Sequence, residues 1–257
     1  MDALRDFSIF FWTIFLTLFP ENLQSSLEYG VIGRAQKEKI IDIEYFNPRD
    51  FADNNYGSID DKPFGGGPGM VIKADPLLQA IEVAKEGASK TCPIVFLSPQ
   101  GSLFSQQKAE SFAKLKDLIL VSGRYEGIDE RVIELTENAI EISLGSFVLS
   151  GGEIAASAMI DSITRLMPGA LGHEMSALQD SFTEDLLDYP HYTRPELFRD
   201  IPVPEVLLSG NHNEINRWRL KQALGRTHQR RPDLLERRQL SKDETTLLEE
   251  YLEELSS

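Results

Sequence analysis

Three short apolar runs, Pro93–Leu97, Leu118–Val121 and Ala139–Ile142, each end in a loop of small residues. The loops read S-P-Q-G, S-G-R-Y-E-G and L-G-S-F-V-L-S-G-G-E, and a helical span follows each. Alternation of this kind predicts a mostly parallel sheet covered by helices. In such sheets ligands bind at the carboxyl ends of the strands. The stretch Ser122–Glu153, which carries two of the loops, is therefore the expected centre of a ligand site.

The flanking sequence supplies the rest of the sheet. Phe7–Phe19 is almost uninterruptedly apolar. It is shorter than the roughly 20 residues of a membrane span, and it lacks the basic start and small-residue cleavage site of a signal peptide. Its aromatic and β-branched content predicts a buried strand over Trp12–Leu18. Pro20 opens a helix with Leu23, Leu27 and Val31 on one face, and Ile40–Phe46 reads as a second strand. Asn47–Pro68 is polar and turn-rich, too long for a plain connector. Its Gly65-Gly66-Gly67-Pro68-Gly69 run reads either as a tight turn needing positive φ or as a ligand loop; no Gly-Lys-Ser/Thr follows, so it is not a P-loop. Ala74–Glu86 is a predicted helix with Leu77, Leu78, Ile81, Val83 and Ala84 inward. Ser105–Lys116 and Ile154–Met167 are predicted helices as well.

Beyond Pro168-Gly169 the alternation stops. His173–Leu187 is polar and acidic and reads as a linker. Tyr189–Glu205 carries four prolines, and predicted helices follow, one with Ile215, Trp218, Leu220, Ala223 and Leu224 and one over Lys242–Leu255. The expected organisation is an α/β domain over 1–171, a linker over 172–187 and an all-α domain over 188–257.

The formal net charge is −15, but it is unevenly spread. Arg217–Arg238 holds eight Lys or Arg against Asp233 and Glu236, whereas the tail from Gln239 holds one Lys and six acids. The basic stripe reads as a nucleic-acid footprint or as a solvated helix face. Cys92 is the only cysteine, which excludes an intrachain disulfide and a cysteine metal cage and favours the cytoplasm. The four histidines lack paired ligand spacing, so no metal site is expected.

Ten segments in order then carry a resemblance: F-P-E, N-P-R-D-F, D-D-K-P-F-G-G-G-P-G-M, L-S-P-Q-G, G-R-Y-E-G-I-D-E-R-V, V-L-S-G-G-E, D-S-F, D-Y-P-H-Y-T-R-P-E, V-L-L-S-G-N-H and W-R-L-K-Q-A-L-G-R-T. Together they resemble the bacterial tRNA (guanine-N1)-methyltransferases of the SPOUT superfamily, from about Trp12 to Glu236. Met1–Phe11 has no counterpart in that order. Phe96 and Phe147 stand where many relatives carry Tyr, keeping the ring without its hydroxyl.

The resemblance implies a trefoil knot formed by the three loops, which sequence physics alone would not suggest. It implies S-adenosylmethionine as methyl donor. Donor contacts would come from Phe96, Leu97, Pro99, Gly123, Tyr125, Gly127, Leu144, Gly145, Ser146, Phe147, Val148, Leu149, Gly151 and Gly152. It implies tRNA as acceptor, at N1 of the guanine 3′ of the anticodon (position 37), with Asp60, Gly65, Gly69, Ser181, Trp218 and Arg219 toward the substrate. It implies Asp180 as general base, Arg165 as donor to guanine O6, and Glu126 as a further acid near the guanine. It also implies a homodimer whose active site is shared between subunits. The family is associated with magnesium, although no carboxylate cluster in this sequence specifies a metal site.

The chemistry itself sets demands. Guanine N1 carries a proton near neutral pH, and a free Asp has a pKa of about 3.9, each unit of mismatch costing about 1.36 kcal/mol. An Asp base therefore needs a raised pKa or a cation stabilising charge on O6. The competing readings are a methyltransferase for another RNA site and a catalytically silent RNA-binding protein.

Overall fold

The computed structural model describes residues 11–54, 56–172, 180–182 and 184–256. The chain divides into two compact units, Met1–Glu174 and Met175–Ser257. The linker expected over 172–187 falls partly on 173–179 and 183, outside the described residues.

The first unit is built on five parallel strands in the order β2-β1-β6-β5-β7. These are β1 (Phe11–Leu16), β2 (Ile41–Phe46), β5 (Ile94–Leu103), β6 (Asp117–Ser122) and β7 (Ala139–Ser143). Central strands of a parallel sheet are buried on both faces, which is why they read as continuous apolar runs. Side-chain alternation then feeds two cores. Phe11, Phe15, Val95, Leu118 and Leu120 face one side, packed by α1 (Pro20–Leu27), α2 (Gly30–Lys37), α4 (Gln106–Phe112) and α6 (Glu153–Thr164). Ile14, Leu16, Ile94, Phe96, Ile119 and Val121 face the other, packed by α3 (Ala74–Lys85) and α5 (Glu130–Leu135). The expected parallel, doubly covered α/β architecture is thus present.

Several boundaries differ from expectation. The helix after Pro20 breaks at Glu28–Gly30, so Val31 belongs to α2 rather than α1. Val83 is exposed, because α3 turns Pro76, Leu77, Ala80, Ile81 and Ala84 inward. The helix expected to Lys116 ends at Phe112, after the Ser105 side chain caps its start by accepting from Lys108 N at 3.3 Å. β5 does not end at Leu97: its register shifts between Leu97 and Ser102, and Ser102 and Leu103 pair again with Ile142 and Ser143. Pro99 cannot donate to a ladder, so the S-P-Q-G segment bulges and pairing resumes beyond it. The long polar loop contains a 3-10 turn at Pro48–Phe51 and a small antiparallel pair, β3 (Asp60–Asp61) with β4 (Val71–Ile72).

In the second unit, the 19-residue helix His212–Arg230 packs Ala223 and Leu224 against Leu247 of the terminal helix Lys242–Ser256 and against Leu186. Asn211 caps the long helix by accepting from Asn213 N and Glu214 N. No helix among the described residues is long and apolar enough to cross a membrane.

Candidate active site

The bulge in β5 and the loops that leave β6 and β7 enclose a cavity of about 330 Å³. Phe96, Leu97 and Pro99 line it from β5, and Gly123, Tyr125, Glu126 and Gly127 from the loop after β6. Leu144, Gly145, Phe147, Val148, Leu149, Gly151 and Gly152 line it from the loop after β7. Ser146 is exposed and does not belong to the wall. The wall also includes Ser98, Gln100, Arg124, Ile128, Glu141 and Ser143, which the sequence reading had not singled out.

The second and third loops are fastened to each other. Gly152 N donates to Gly123 O at 3.0 Å, and Arg124 bridges to Gly151 across an isolated antiparallel contact. A Cβ at Gly152 would lie 2.7 Å from Ser122 Cα, so this close approach needs glycine. Beneath the contact sits Glu153, 2% exposed. Its Oε1 accepts from Thr17 Oγ1 at 2.8 Å, and its Oε2 lies 3.0 Å from Arg124 Nη2. A charge this deeply buried is costly without compensation, and Thr17 and the partly exposed Arg124 supply it.

The acidic candidates of the polar loop are drawn to the same edge. β4 lies beside the loop after β6: Ile72 pairs with Ile128, and Ile72 N donates to Gly127 O at 3.0 Å. Asp60 is opposite Ile72 in the β3–β4 pair. Glu126 N donates to Met70 O at 3.0 Å, which seats its side chain over Gly69. Gly69 has φ +81°, a conformation that favours glycine, and a Cβ there would displace the Glu126 side chain. Gly65 is exposed, also with positive φ and open space around it. Arg165 is the half-buried C-cap of α6, its N–H donating to Asp161 O at 3.2 Å.

Asp180 and Ser181 belong to the second unit. Asp180 is half-buried and lines a cavity of about 260 Å³ with Asp188, Tyr189, Asn216 and Arg219. Ser181 Oγ accepts from Asp188 N at 2.9 Å. The Arg219 guanidinium lies 4.8 Å from the Tyr189 ring centre, and Trp218 faces Tyr192 at 6.4 Å. The basic stripe is largely paired rather than open. Arg217 meets Glu250 at 2.5 Å and Lys221 meets Glu254 at 2.6 Å, both acids coming from the terminal helix. Arg231 and Arg237 share Asp233, and Arg238 pairs with Glu244. Arg219, Arg226 and Arg230 have no ion pair among the described residues.

A parallel α/β unit with a loop-built cavity at the carboxyl edge of its sheet, accompanied by a separate helical unit, defines a class: an α/β protein that binds a small ligand at the ends of its strands. The comparisons narrow the class. The family model for tRNA (guanine-1)-methyltransferase TrmD matches residues 11–237. The chain is 57% identical over 239 residues to the tRNA (guanine-N(1)-)-methyltransferase of Hahella chejuensis, covering 93% of this chain and 92% of that protein. It is 53% identical to the protein of that name from Pseudomonas putida strain W619, covering 93% and 95%. Against the one from Tolumonas auensis it is 50% identical, covering 96% and 98%. The chain belongs to the bacterial tRNA (guanine-1)-methyltransferase family.

Proposed function

We propose that this protein transfers a methyl group from S-adenosylmethionine to N1 of the guanine at position 37 of tRNA. The observation that carries the reading is the 330 Å³ cavity at the sheet's carboxyl edge, walled by the three loops and rimmed by Glu126. Its exposed backbone and apolar side chains suit an adenosine moiety, because glycine-rich backbone approaches a base edge and ribose closely. A trefoil knot through these loops is part of the reading. Magnesium, which one or two carboxylates and the substrate suffice to hold, belongs to the reading as a candidate assistant of the reaction.

When bound, the donor supplies an electrophilic methyl group on a sulfonium. In the proposed step the sulfur–methyl bond breaks as the N1–methyl bond forms, and the N1 proton passes to the Asp180 carboxylate. Arg165 donates to O6, holding the negative charge that develops there and lowering the basicity required of Asp180. Glu126, held over Gly69, orients the guanine edge, with Asp60 as a further acid on the substrate side. Much of the remaining rate comes from positioning, as in any displacement between two bound partners. The reading includes a homodimer in the cytoplasm, in which the Asp180 segment of one subunit serves the cavity of the other.

The test is mapping of methylated nucleosides after incubation with tRNA and labelled donor. The reading predicts 1-methylguanosine at position 37, and label on ribose or another base overturns it.

A further inference from the structure

Glu153 is a buried carboxylate that the proposed reaction does not use. We propose that it is a positioning residue for methyl-donor binding, acting through Arg124. The inference rests on the reading of the 330 Å³ cavity as the donor site.

Three chain segments meet at this carboxylate. Thr17, just beyond β1, donates to Oε1 at 2.8 Å and accepts from Phe19 N at 3.1 Å, so the turn leaving β1 is tied to Glu153. Arg124, in the loop after β6, reaches Oε2 at 3.0 Å. The same guanidinium donates to Ser150 O at 3.3 Å and covers the Phe19 ring at 4.5 Å. Ser150, Gly151 and Gly152 complete the third segment and line the cavity along with Arg124, while Glu153 itself lies behind the wall. An arginine with a forked set of donors spans such a junction in a way that a single-point cation does not.

The buried carboxylate gives this arrangement a definite register, because Glu153, 2% exposed, is costly without a cation beside it, and Arg124, 24% exposed, supplies that cation from the loop after β6. The loop after β6 is thereby held against the loop after β7 at the spacing that shapes the cavity. Glu153 also starts α6, whose C-cap is Arg165, so the donor wall and the proposed O6 donor are referenced to one helix.

The experiment measures KM for donor and for tRNA, kcat, and direct binding of S-adenosylhomocysteine in the purified full-length enzyme. E153Q keeps the shape and an acceptor for Thr17 but sets an amide against the Arg124 guanidinium. It is expected to raise the donor KM about tenfold and weaken S-adenosylhomocysteine equally, with tRNA KM and kcat within about threefold, the pattern of lost donor binding. The R124Q and E153Q penalties should not add in the double variant, since they break one contact. Additive penalties, an unchanged donor KM, or a uniform loss of all parameters together with thermal stability would overturn the proposal. Should E153Q fail to fold, T17V removes one hydroxyl without disturbing charge, and a donor KM equal to wild type overturns the proposal by itself. Failure of the wild-type protein to bind S-adenosylhomocysteine would instead overturn the cavity's assignment, before any variant is considered.

Discussion

Glu126 lies over the bare Cα of Gly69: one residue closes the loop after β6, the other ends the glycine-rich turn, and a Cβ between them would meet Glu126 Cδ at 2.8 Å. Their contact joins the polar loop to the edge of the cavity. Replacing Gly69 with Ala would impose a left-handed conformation on a side-chain-bearing residue, at about 1 kcal/mol, and push Glu126 aside. G69A is expected to reduce kcat/KM for tRNA at least about tenfold while leaving S-adenosylhomocysteine affinity within about threefold, because the glycine faces the proposed guanine side. Steady-state kinetics and calorimetry check both halves.

Asp180 carries the proton in the proposed step. D180N preserves size and removes basicity, so single-turnover transfer should fall by about 10²–10⁴-fold, the usual contribution of a general base. Donor binding, measured by calorimetry, should be retained. Turnover equal to wild type would remove Asp180 from that role.

The ion pairs on the helical unit give a salt prediction. Glu250 and Glu254 occupy Arg217 and the more buried Lys221, two cations of the stripe that the sequence reads as a nucleic-acid footprint or a solvated helix face. The double variant E250Q/E254Q releases both, and the slope of log affinity for tRNA against log salt should steepen by up to about 2. An unchanged slope would mean that these cations do not reach the RNA.

Cys92 is buried between α3 and β5, and burial, reinforced by the neighbouring Asp117 carboxylate, pushes its thiol from 9.0 up to about 12. Because the folded pKa is raised, the folded state holds the proton more tightly than the unfolded chain. The contribution is intact below pH 9.0 and is lost as pH rises toward about 12. Native protein at pH 8 should therefore resist alkylation by iodoacetamide, whereas the urea-unfolded chain should react; rapid native labelling would contradict this burial.

The sheet was legible because its strands obey a simple rule: runs buried on both faces are apolar, as β6 is from Leu118 to Val121. The bulge in β5 was not legible, since Ser102 and Leu103 look like loop residues until Ile142 and Ser143 are seen beside them. The cavity loops announced themselves by their glycines. Glu153 did not, although it offered a signal: an acid directly after Gly151-Gly152 at the head of an apolar helix. A charge there has to find partners, and Thr17 and Arg124 lie 136 and 29 positions away in sequence, too distant for any local pattern to register. The basic stripe was visible as composition, but its neutralisation by Glu250 and Glu254 depends on how two helices pack.

The most direct measurement is nucleoside mass spectrometry on tRNA incubated with isotopically labelled S-adenosylmethionine and either wild-type protein or D180N. The account predicts labelled 1-methylguanosine immediately 3′ of the anticodon with wild type and a loss of at least about 10²-fold with the variant. Label at any other atom, or equal labelling by the two proteins, would contradict it.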